Sequence, residues 1–90
     1  MTRPRSPGDV LLTGASGEIG AAIARLLAAR GLRLHLTSRR PARLIPLEKE
    51  LVRGGAEVFT YALSLSSPHQ AERVVRAFFR KAARPVGLIC

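Results

Sequence analysis

The apolar positions of this chain change their period sharply near its N-terminus. Val10, Leu11 and Leu12 form a short continuous apolar run, which is typical of one buried strand. A segment with three glycines at a spacing of three follows, and the apolar residues then recur at intervals of three and four. This second pattern predicts one face of a helix over 18–30, formed by Ile19, Ala22, Ile23, Leu26 and Leu27.

The alternation of strand and helix patterns continues to the end of the chain. A proline at position 46 is expected to kink the second helix or to mark its start, and Ser67 is the expected N-cap of the third. His35 falls on the second strand, where we expect no catalytic role for it. The further predicted elements are strands over 32–37, 56–62 and 86–90 and helices over 42–53 and 68–82. The two later helices are predicted to bury Leu44, Leu47, Leu51, Ala71, Val74, Val75, Phe78, Phe79 and Ala82.

Strand and helix therefore alternate in the order β-α-β-α-β-α-β. Right-handed crossovers would place four such strands in the spatial order 3-2-1-4, with helices on both faces of a parallel sheet. The sequence thus predicts an α/β fold of the Rossmann type, comprising part of a doubly wound sheet. A buried strand, a glycine turn and an amphipathic helix form the opening of a dinucleotide-binding unit.

The glycine turn contains Gly14, Gly17 and Gly20. A pyrophosphate needs several backbone N–H groups and the positive end of a helix dipole close to it. A side chain at position 14 or 17 would hold the phosphates away, and one at position 20 would push the helix off the strand. The alternative is an ordinary strand-to-helix turn, because tight turns use glycine for backbone reasons alone.

Charge and composition narrow the classes of partner. The net charge is +9, but the basic residues are spread from Arg3 to Arg84 and aromatic residues are only 4% of the chain. A solvated arginine-rich surface explains this pattern better than a nucleic-acid interface, which would concentrate cations among aromatic residues. The single cysteine, Cys90, provides neither a disulfide framework nor a metal cluster, and it suits a reducing cytoplasm. Residues 1–8 are predicted to form a disordered leader, and no stretch resembles a signal peptide or membrane span.

These motifs resemble the short-chain dehydrogenase/reductase family over almost the whole of 10–90. The resemblance lies in TGASGEIG after the first strand, TSRR after the second, SLSSP after the third and VGLIC as the fourth. The spacing TGxxGxxG, with Glu18 in place of the usual middle glycine, occurs in extended members of the family and in ketoreductase domains of polyketide-type enzymes. The resemblance implies that the turn holds the cofactor pyrophosphate through Gly14, Ser16, Gly17, Glu18, Ile19 and Gly20.

The end of the second strand indicates which cofactor is used. An acidic residue there would bind both ribose hydroxyls of NAD(H), whereas this chain has Ser38, Arg39 and Arg40. Guanidinium groups match phosphate oxygens, so the sequence favours NADP(H) over NAD(H). The alternative is that both arginines are ordinary surface residues. Ser64 stands where the family usually has the aspartate that caps the adenine amine, and Leu65 follows it.

The catalytic residues of the family have no match in this chain. The family uses a serine and a Tyr-x-x-x-Lys motif, but Tyr61 is followed four positions later by Leu65. We therefore expect no catalytic residue, no metal site and no activity in residues 9–90, taken as the N-terminal part of a dinucleotide-binding domain. The resemblance implies that the intact enzyme transfers hydride between NADPH and a small carbonyl or alcohol substrate, with a 3-oxoacyl thioester as the candidate, and is compatible with a homo-oligomer. The alternatives are a non-catalytic nucleotide-binding half-domain and, third, a nucleic-acid-binding protein.

Overall fold

The computed structural model describes residues 8–61 and 67–89, which form four strands and three α-helices in strict alternation. The apolar run and the period changes fall where the sequence predicts them, with boundaries shifted by one or two residues. A short 3-10 helix, Pro41–Arg43, precedes the second α-helix. In chain order the elements are β1 (Asp9–Thr13), α1 (Glu18–Ala29), β2 (Arg33–Thr37), α2 (Leu44–Arg53), β3 (Val58–Tyr61), α3 (Pro68–Lys81) and β4 (Pro85–Ile89).

The four strands form one parallel sheet in the order β3-β2-β1-β4. Leu11 of β1 lies opposite His35 of β2 on one side and Leu88 of β4 on the other. Phe59 of β3 lies opposite His35 on its far side. This order confirms the predicted α/β fold of the Rossmann type, and it makes β1 a central strand that is paired on both edges.

Successive residues of each strand point to opposite faces, and the two faces are covered differently. Leu34 and Leu36 of β2 pack with Leu12 against α1 and α2 in an aliphatic cluster. All three predicted leucines of α2 belong to that cluster, as Leu44, Leu47 and Leu51 are at most 6% exposed. On the other face, a smaller cluster joins Leu11 to α3 through Val74 and Phe78.

The predicted buried face of α1 is only partly correct: Ile23 and Leu27 pack against the aliphatic cluster, but Ile19, Ala22 and Leu26 are exposed. Ile19 and Leu26 are 79% and 68% exposed, whereas the fully buried residue of the helix is Ala24. Small residues line the side that faces the sheet because α1 begins in close contact with the glycine turn, and larger side chains would separate the two. Around the buried Ala24, the partly buried residues of α1 that pack against the cluster are Ala21, Ile23, Leu27 and Ala28.

Helices α2 and α3 refine two further expectations. Pro46 lies in the first turn of α2, where its missing N–H has no intrahelical acceptor to lose, so the helix begins before it. The Oγ of Ser67 accepts a hydrogen bond from the N–H of Gln70 (3.2 Å), which confirms the predicted N-cap of α3. The prediction that Phe79 lies in the core is wrong. Its side chain is 60% exposed, and the cluster between α3 and the sheet includes Phe78 but not Phe79.

The described residues form neither a membrane-spanning helix nor a cluster of metal-ligating side chains. Within residues 8–61 and 67–89, no helix is both long and apolar enough to cross a membrane. The same residues contain no group of three or more His, Cys, Asp or Glu side chains placed to hold a metal ion. Most of the predicted leader, residues 1–7, lies outside the described part of the chain.

Candidate functional site

The glycine turn reverses the chain between β1 and α1 at the carboxyl edge of the sheet. Gly14 has a φ of +67°, a left-handed conformation that L side chains rarely adopt. The N–H of Gly17 donates to the carbonyl of Gly14 (3.3 Å), and the N–H of Ala15 donates to the carbonyl of Thr37 (3.4 Å). The turn is therefore closed on itself and tied to the end of β2, which is the strand carrying the predicted specificity residues.

Gly20 is the point of closest approach between helix and turn. A Cβ built on Gly20 would overlap the carbonyl oxygen of Gly14 and would lie 2.9 Å from the Cα of Ala15. Both of those atoms belong to the backbone, so neither can rotate away. Gly20 is thus required for packing, as the sequence predicts, and its position leaves no side chain between α1 and the turn.

The N-terminus of α1 is open to an anion. Its N-cap is Gly17, which has no side chain to cap the first N–H groups of the helix, and it is exposed to solvent. A Cβ built on Gly17 would meet only the carbonyl oxygen of Gly14, at 3.8 Å. The small size of Gly17 is therefore not needed for packing within the chain. It leaves space in front of the positive end of the helix dipole.

The end of β2 lies directly beside the turn. The hydroxyls of Ser16 and Ser38 share a hydrogen bond of 2.7 Å, and the N–H of Arg40 donates to the Ser38 oxygen (3.1 Å). Ser38 is only 4% exposed, so its hydroxyl is fixed by these contacts. The two serines, which are 22 positions apart in sequence, thus join the glycine turn to the segment that carries Arg39 and Arg40.

A cavity of about 310 Å³ opens at this junction. It brings together four of the predicted site residues, namely Gly14, Ser16, Ser38 and Arg39, and it is also lined by Thr13 and Thr37. The two threonines were not among the predicted site residues, although each is the last residue of its strand. Because the carboxyl ends of parallel strands share one edge of the sheet, that position is the signal that could have identified them.

The other predicted site residues are placed less directly. Arg40 is exposed and does not belong to the described lining of the cavity. Its backbone N–H donates to the hydroxyl oxygen of Ser38, which does line the cavity. Glu18 and Ile19 are exposed in the first turn of α1, next to the open helix end. Ser64 and Leu65 lie outside the described residues.

A second polar cluster lies between the sheet and α3, and none of its side chains belongs to the described lining of the cavity. His35 is completely buried, and its Nε2 lies 2.8 Å from Oδ1 of Asp9 while its Nδ1 lies 2.7 Å from the hydroxyl of Tyr61. Asp9 also accepts two hydrogen bonds from the guanidinium of Arg33 (3.0 and 3.2 Å) and one from the N–H of Arg84 (2.9 Å). Sequence reasoning missed this cluster because it depends on the register between β1, β2 and β3.

Burial and hydrogen bonding act in opposite directions on the pKa values of this cluster. Burial lowers the pKa of His35, and the hydrogen bond to Asp9 only partly restores it. For Asp9, burial alone would raise the pKa, but hydrogen bonds from His35, the Arg84 N–H and Arg33 outweigh it, so the pKa is lowered. Burial raises the pKa of Tyr61, and the nearby Asp9 charge adds to that effect. The cluster therefore favours a neutral imidazole, a charged carboxylate and a protonated phenol.

The parallel sheet in the order 3-2-1-4, with a glycine turn and a polar cavity at its carboxyl edge, defines a Rossmann-type α/β protein. Comparison with known families gives a narrower class. A sequence profile described as short chain dehydrogenase matches residues 9–89. This chain therefore belongs to the short-chain dehydrogenase/reductase family, as the motifs of the glycine turn predict.

Individual relatives agree with this assignment. The hydroxysteroid 11-beta-dehydrogenase 1-like protein of Gallus gallus is 43% identical over 72 residues, which are 79% of this chain and 25% of that protein. The structure of a metagenomic short-chain oxidoreductase in complex with NADP matches with a TM-score of 0.83 at 35% identity, over 89% of this chain and 36% of that one. A short-chain dehydrogenase/reductase from Burkholderia phymatum in complex with NAD matches with a TM-score of 0.74 at 26% identity, over 80% and 26% respectively. The chain thus spans about a quarter of the length of the curated relative and about a third of the metagenomic structure.

Proposed function

We propose that this chain binds NADP(H), with the pyrophosphate at the glycine turn and the 2′-phosphate at the carboxyl end of β2. The observation that carries the proposal is the cavity at that edge, which is lined by Arg39 and by two serines whose hydroxyls are hydrogen-bonded to each other. Hydroxyl and guanidinium groups all donate to phosphate oxygens, and the residues described around the cavity include no carboxylate that would repel one. The donor set therefore fits an anion beside the open N-terminus of α1.

The choice of NADP(H) over NAD(H) depends on few residues. The metagenomic relative was crystallised with NADP and the Burkholderia relative with NAD, so the family relatives support a nicotinamide dinucleotide in general. In this chain, position 38 is a serine rather than an acidic residue, and Arg39 follows it at the cavity. These two positions support the phosphorylated cofactor.

In the intact enzyme we propose hydride transfer between NADPH and a carbonyl substrate, with a 3-oxoacyl thioester as the substrate class. The cofactor supplies the hydride when bound, and the residues of this chain hold and orient it. Tyr61 does not provide the proton for such a step, because it is 8% exposed and its hydroxyl lies against His35. We therefore propose that these 90 residues are inactive alone, and that the proton donor comes from sequence beyond them in a cytoplasmic, homo-oligomeric enzyme.

The same burial of Tyr61 favours a second candidate, a nucleotide-binding half-domain that works without catalysis. The two candidates share the cofactor site and differ in turnover. An assay of a longer protein that contains this chain separates the two candidates. An acetoacetyl thioester and NADPH are added, and NADPH oxidation is monitored as the loss of reduced-nicotinamide absorbance. Turnover supports the reductase, and binding without turnover supports the half-domain.

The cofactor proposal is tested by titrating the chain with NADPH and with NADH. Binding is followed through the fluorescence of the reduced nicotinamide. An Arg39→Gln variant removes the guanidinium at the cavity but keeps the length and polarity of the side chain. A hydrogen bond to a charged group contributes about 1.5–3 kcal/mol, so NADPH affinity should fall about tenfold to hundredfold while NADH affinity stays constant.

The matched control is Arg53→Gln, since Arg53 is an exposed arginine in the last turn of α2 and lies outside the described cavity lining. It should leave both affinities unchanged. If Arg39→Gln weakens NADPH and NADH equally, the 2′-phosphate assignment is wrong. If the folded chain binds neither nucleotide, the glycine turn serves only the fold.

A further inference from the structure

Three strands are joined side chain to side chain beneath α3. Asp9 of β1, His35 of β2 and Tyr61 of β3 form a continuous hydrogen-bonded chain, with distances of 2.8 Å between Asp9 and His35 and 2.7 Å between His35 and Tyr61. Asp9 and His35 are completely buried, and Tyr61 is 8% exposed. The cofactor site does not use any of these side chains, so the role of this chain of hydrogen bonds is independent of the proposed function.

The position of each proton follows from the partners. Asp9 is a carboxylate that accepts from Arg33 and from the N–H of Arg84, so it also accepts from His35. The proton of a neutral His35 must therefore sit on Nε2. Its Nδ1 then carries a lone pair, and the hydroxyl of Tyr61 donates to it. In this arrangement every polar atom of the buried chain has a partner.

The surroundings disfavour an added positive charge on His35. Among the residues that the structure describes, two cations are close to it: Arg33 on its own strand, paired with Asp9, and Lys81 of α3, whose Nζ lies 5.7 Å from the centre of the Tyr61 ring. The imidazole is stacked on Phe59 at 4.8 Å and meets the edge of Phe78 at 4.7 Å. Beyond these groups, the half-exposed carboxylate of Glu57 lies 3.5 Å from the Arg33 guanidinium.

We propose that the Asp9–His35–Tyr61 chain is an acid-sensitive lock that holds β1, β2 and β3 together. The second proton on the imidazole goes to Nδ1, which faces the Tyr61 hydroxyl rather than Asp9. Tyr61 must then turn its own O–H away and accept instead, and its hydroxyl proton loses its acceptor in a nearly closed site. The folded chain can therefore take up this proton only by reversing the hydrogen bond at the end of the edge strand β3 and leaving the Tyr61 O–H without its acceptor, which weakens the hold on that strand.

The direction of the pH effect follows from linkage. Burial places the pKa of His35 below its ordinary value of 6.5, so the unfolded chain takes up the proton before the folded chain does. The stabilisation is therefore complete above about pH 6.5 and is lost as the pH falls below it. One proton taken up by unfolding changes the unfolding equilibrium constant by at most about tenfold per pH unit.

The test is urea unfolding of the full chain at a series of pH values from 8 to 5, followed by circular dichroism. The chain has two histidines, so His69→Gln, at the exposed start of α3, is the matched control. We expect the wild type and His69→Gln to lose stability alike as the pH falls below about 6.5, by up to about tenfold per pH unit in the unfolding equilibrium constant. The double variant His35→Leu/Tyr61→Phe, which replaces both partners by apolar groups, should show a flat profile. Loss of the slope in His69→Gln, or its persistence in the double variant, overturns the proposal.

Nuclear magnetic resonance of the wild type keeps the proposal testable if the double variant does not fold. The ring ¹⁵N shifts of His35 should show the Nε2–H form at pH 8, and amide exchange in β3 should speed up on acidification more than exchange in β1, after correction for the intrinsic rate. A proton on Nδ1 at pH 8 overturns the proposal. So does protonation of His35 in a folded chain whose β3 amides stay as protected as before.

Discussion

The close approach at Gly20 can be tested by adding a single methyl group. In Gly20→Ala the new Cβ would overlap the carbonyl oxygen of Gly14 and lie 2.9 Å from the Cα of Ala15 and 3.0 Å from the carbonyl carbon of Gly14. All three atoms are backbone atoms of the turn, so the contact can be relieved only by moving α1 away from the sheet. That movement would also loosen the packing of Ala24 against the aliphatic cluster.

The magnitude follows from two opposing effects. Replacing glycine by alanine inside a helix ordinarily stabilises a protein by about 0.5–1 kcal/mol, because the unfolded chain loses freedom. Overpacking costs about 1–3 kcal/mol, and the rigid backbone partners at this position favour the upper end of that range. We therefore expect a net loss of about 2 kcal/mol in the free energy of unfolding, which is a large fraction of the stability of a small domain.

Urea unfolding at neutral pH, followed by far-ultraviolet circular dichroism, measures this loss. Gly54→Ala is the control, because its Cβ would lie 3.5 Å from the carbonyl oxygen of Leu51, an ordinary contact, and its φ of −81° suits any residue. It should change the stability by less than about 0.5 kcal/mol. A Gly20→Ala chain as stable as the wild type, or more stable, would refute the close approach.

Two further predictions concern the face of the sheet that α3 covers. Phe78→Ala should lower the free energy of unfolding in urea by about 3–5 kcal/mol, since Phe78 is 3% exposed and packs on Leu11. Phe79→Ala should lower it far less, because that side chain is 60% exposed. Equal losses would contradict the observed boundary of this cluster. Asp9 has a lowered pKa in the folded chain, so the stability that it contributes is present above about pH 3.8 and is lost as the pH falls below that value. Asp9→Asn should therefore flatten the acid limb of the unfolding profile below pH 4, and an unchanged acid limb would show that other carboxylates cause it.

The fold was predictable because each change in the spacing of apolar residues along the sequence corresponds to a change from strand to helix or from helix to strand. The strand order depends only on right-handed crossovers, which leave little choice for strands joined by helices. The buried face of α1 was not predictable from hydrophobicity, because Ile19 and Leu26 are the more apolar residues and yet they point outward. The distance between α1 and the turn, set by Gly20, decides that only small side chains fit beneath the helix.

The candidate site was predictable where its residues follow strand ends in the sequence. Gly14, Ser16, Ser38 and Arg39 all do so, and they meet at one cavity. The link between Ser16 and Ser38 could not be read from the sequence, since it depends on how β1 and β2 are aligned. The same limit applies to His35, whose partners on β1 and β3 are each 26 positions away.

The central place of β1 has a consequence for the order in which the chain folds. The contact of Asp9 with the Arg33 side chain closes a loop of 24 positions, whereas its contact with the N–H of Arg84 closes one of 75. Contacts between distant positions form more slowly than local ones, because more chain entropy is lost before they give any stabilisation. We expect β1, α1 and β2 to assemble first and β4 to join last. One carboxylate thus connects an early folding event to a late one.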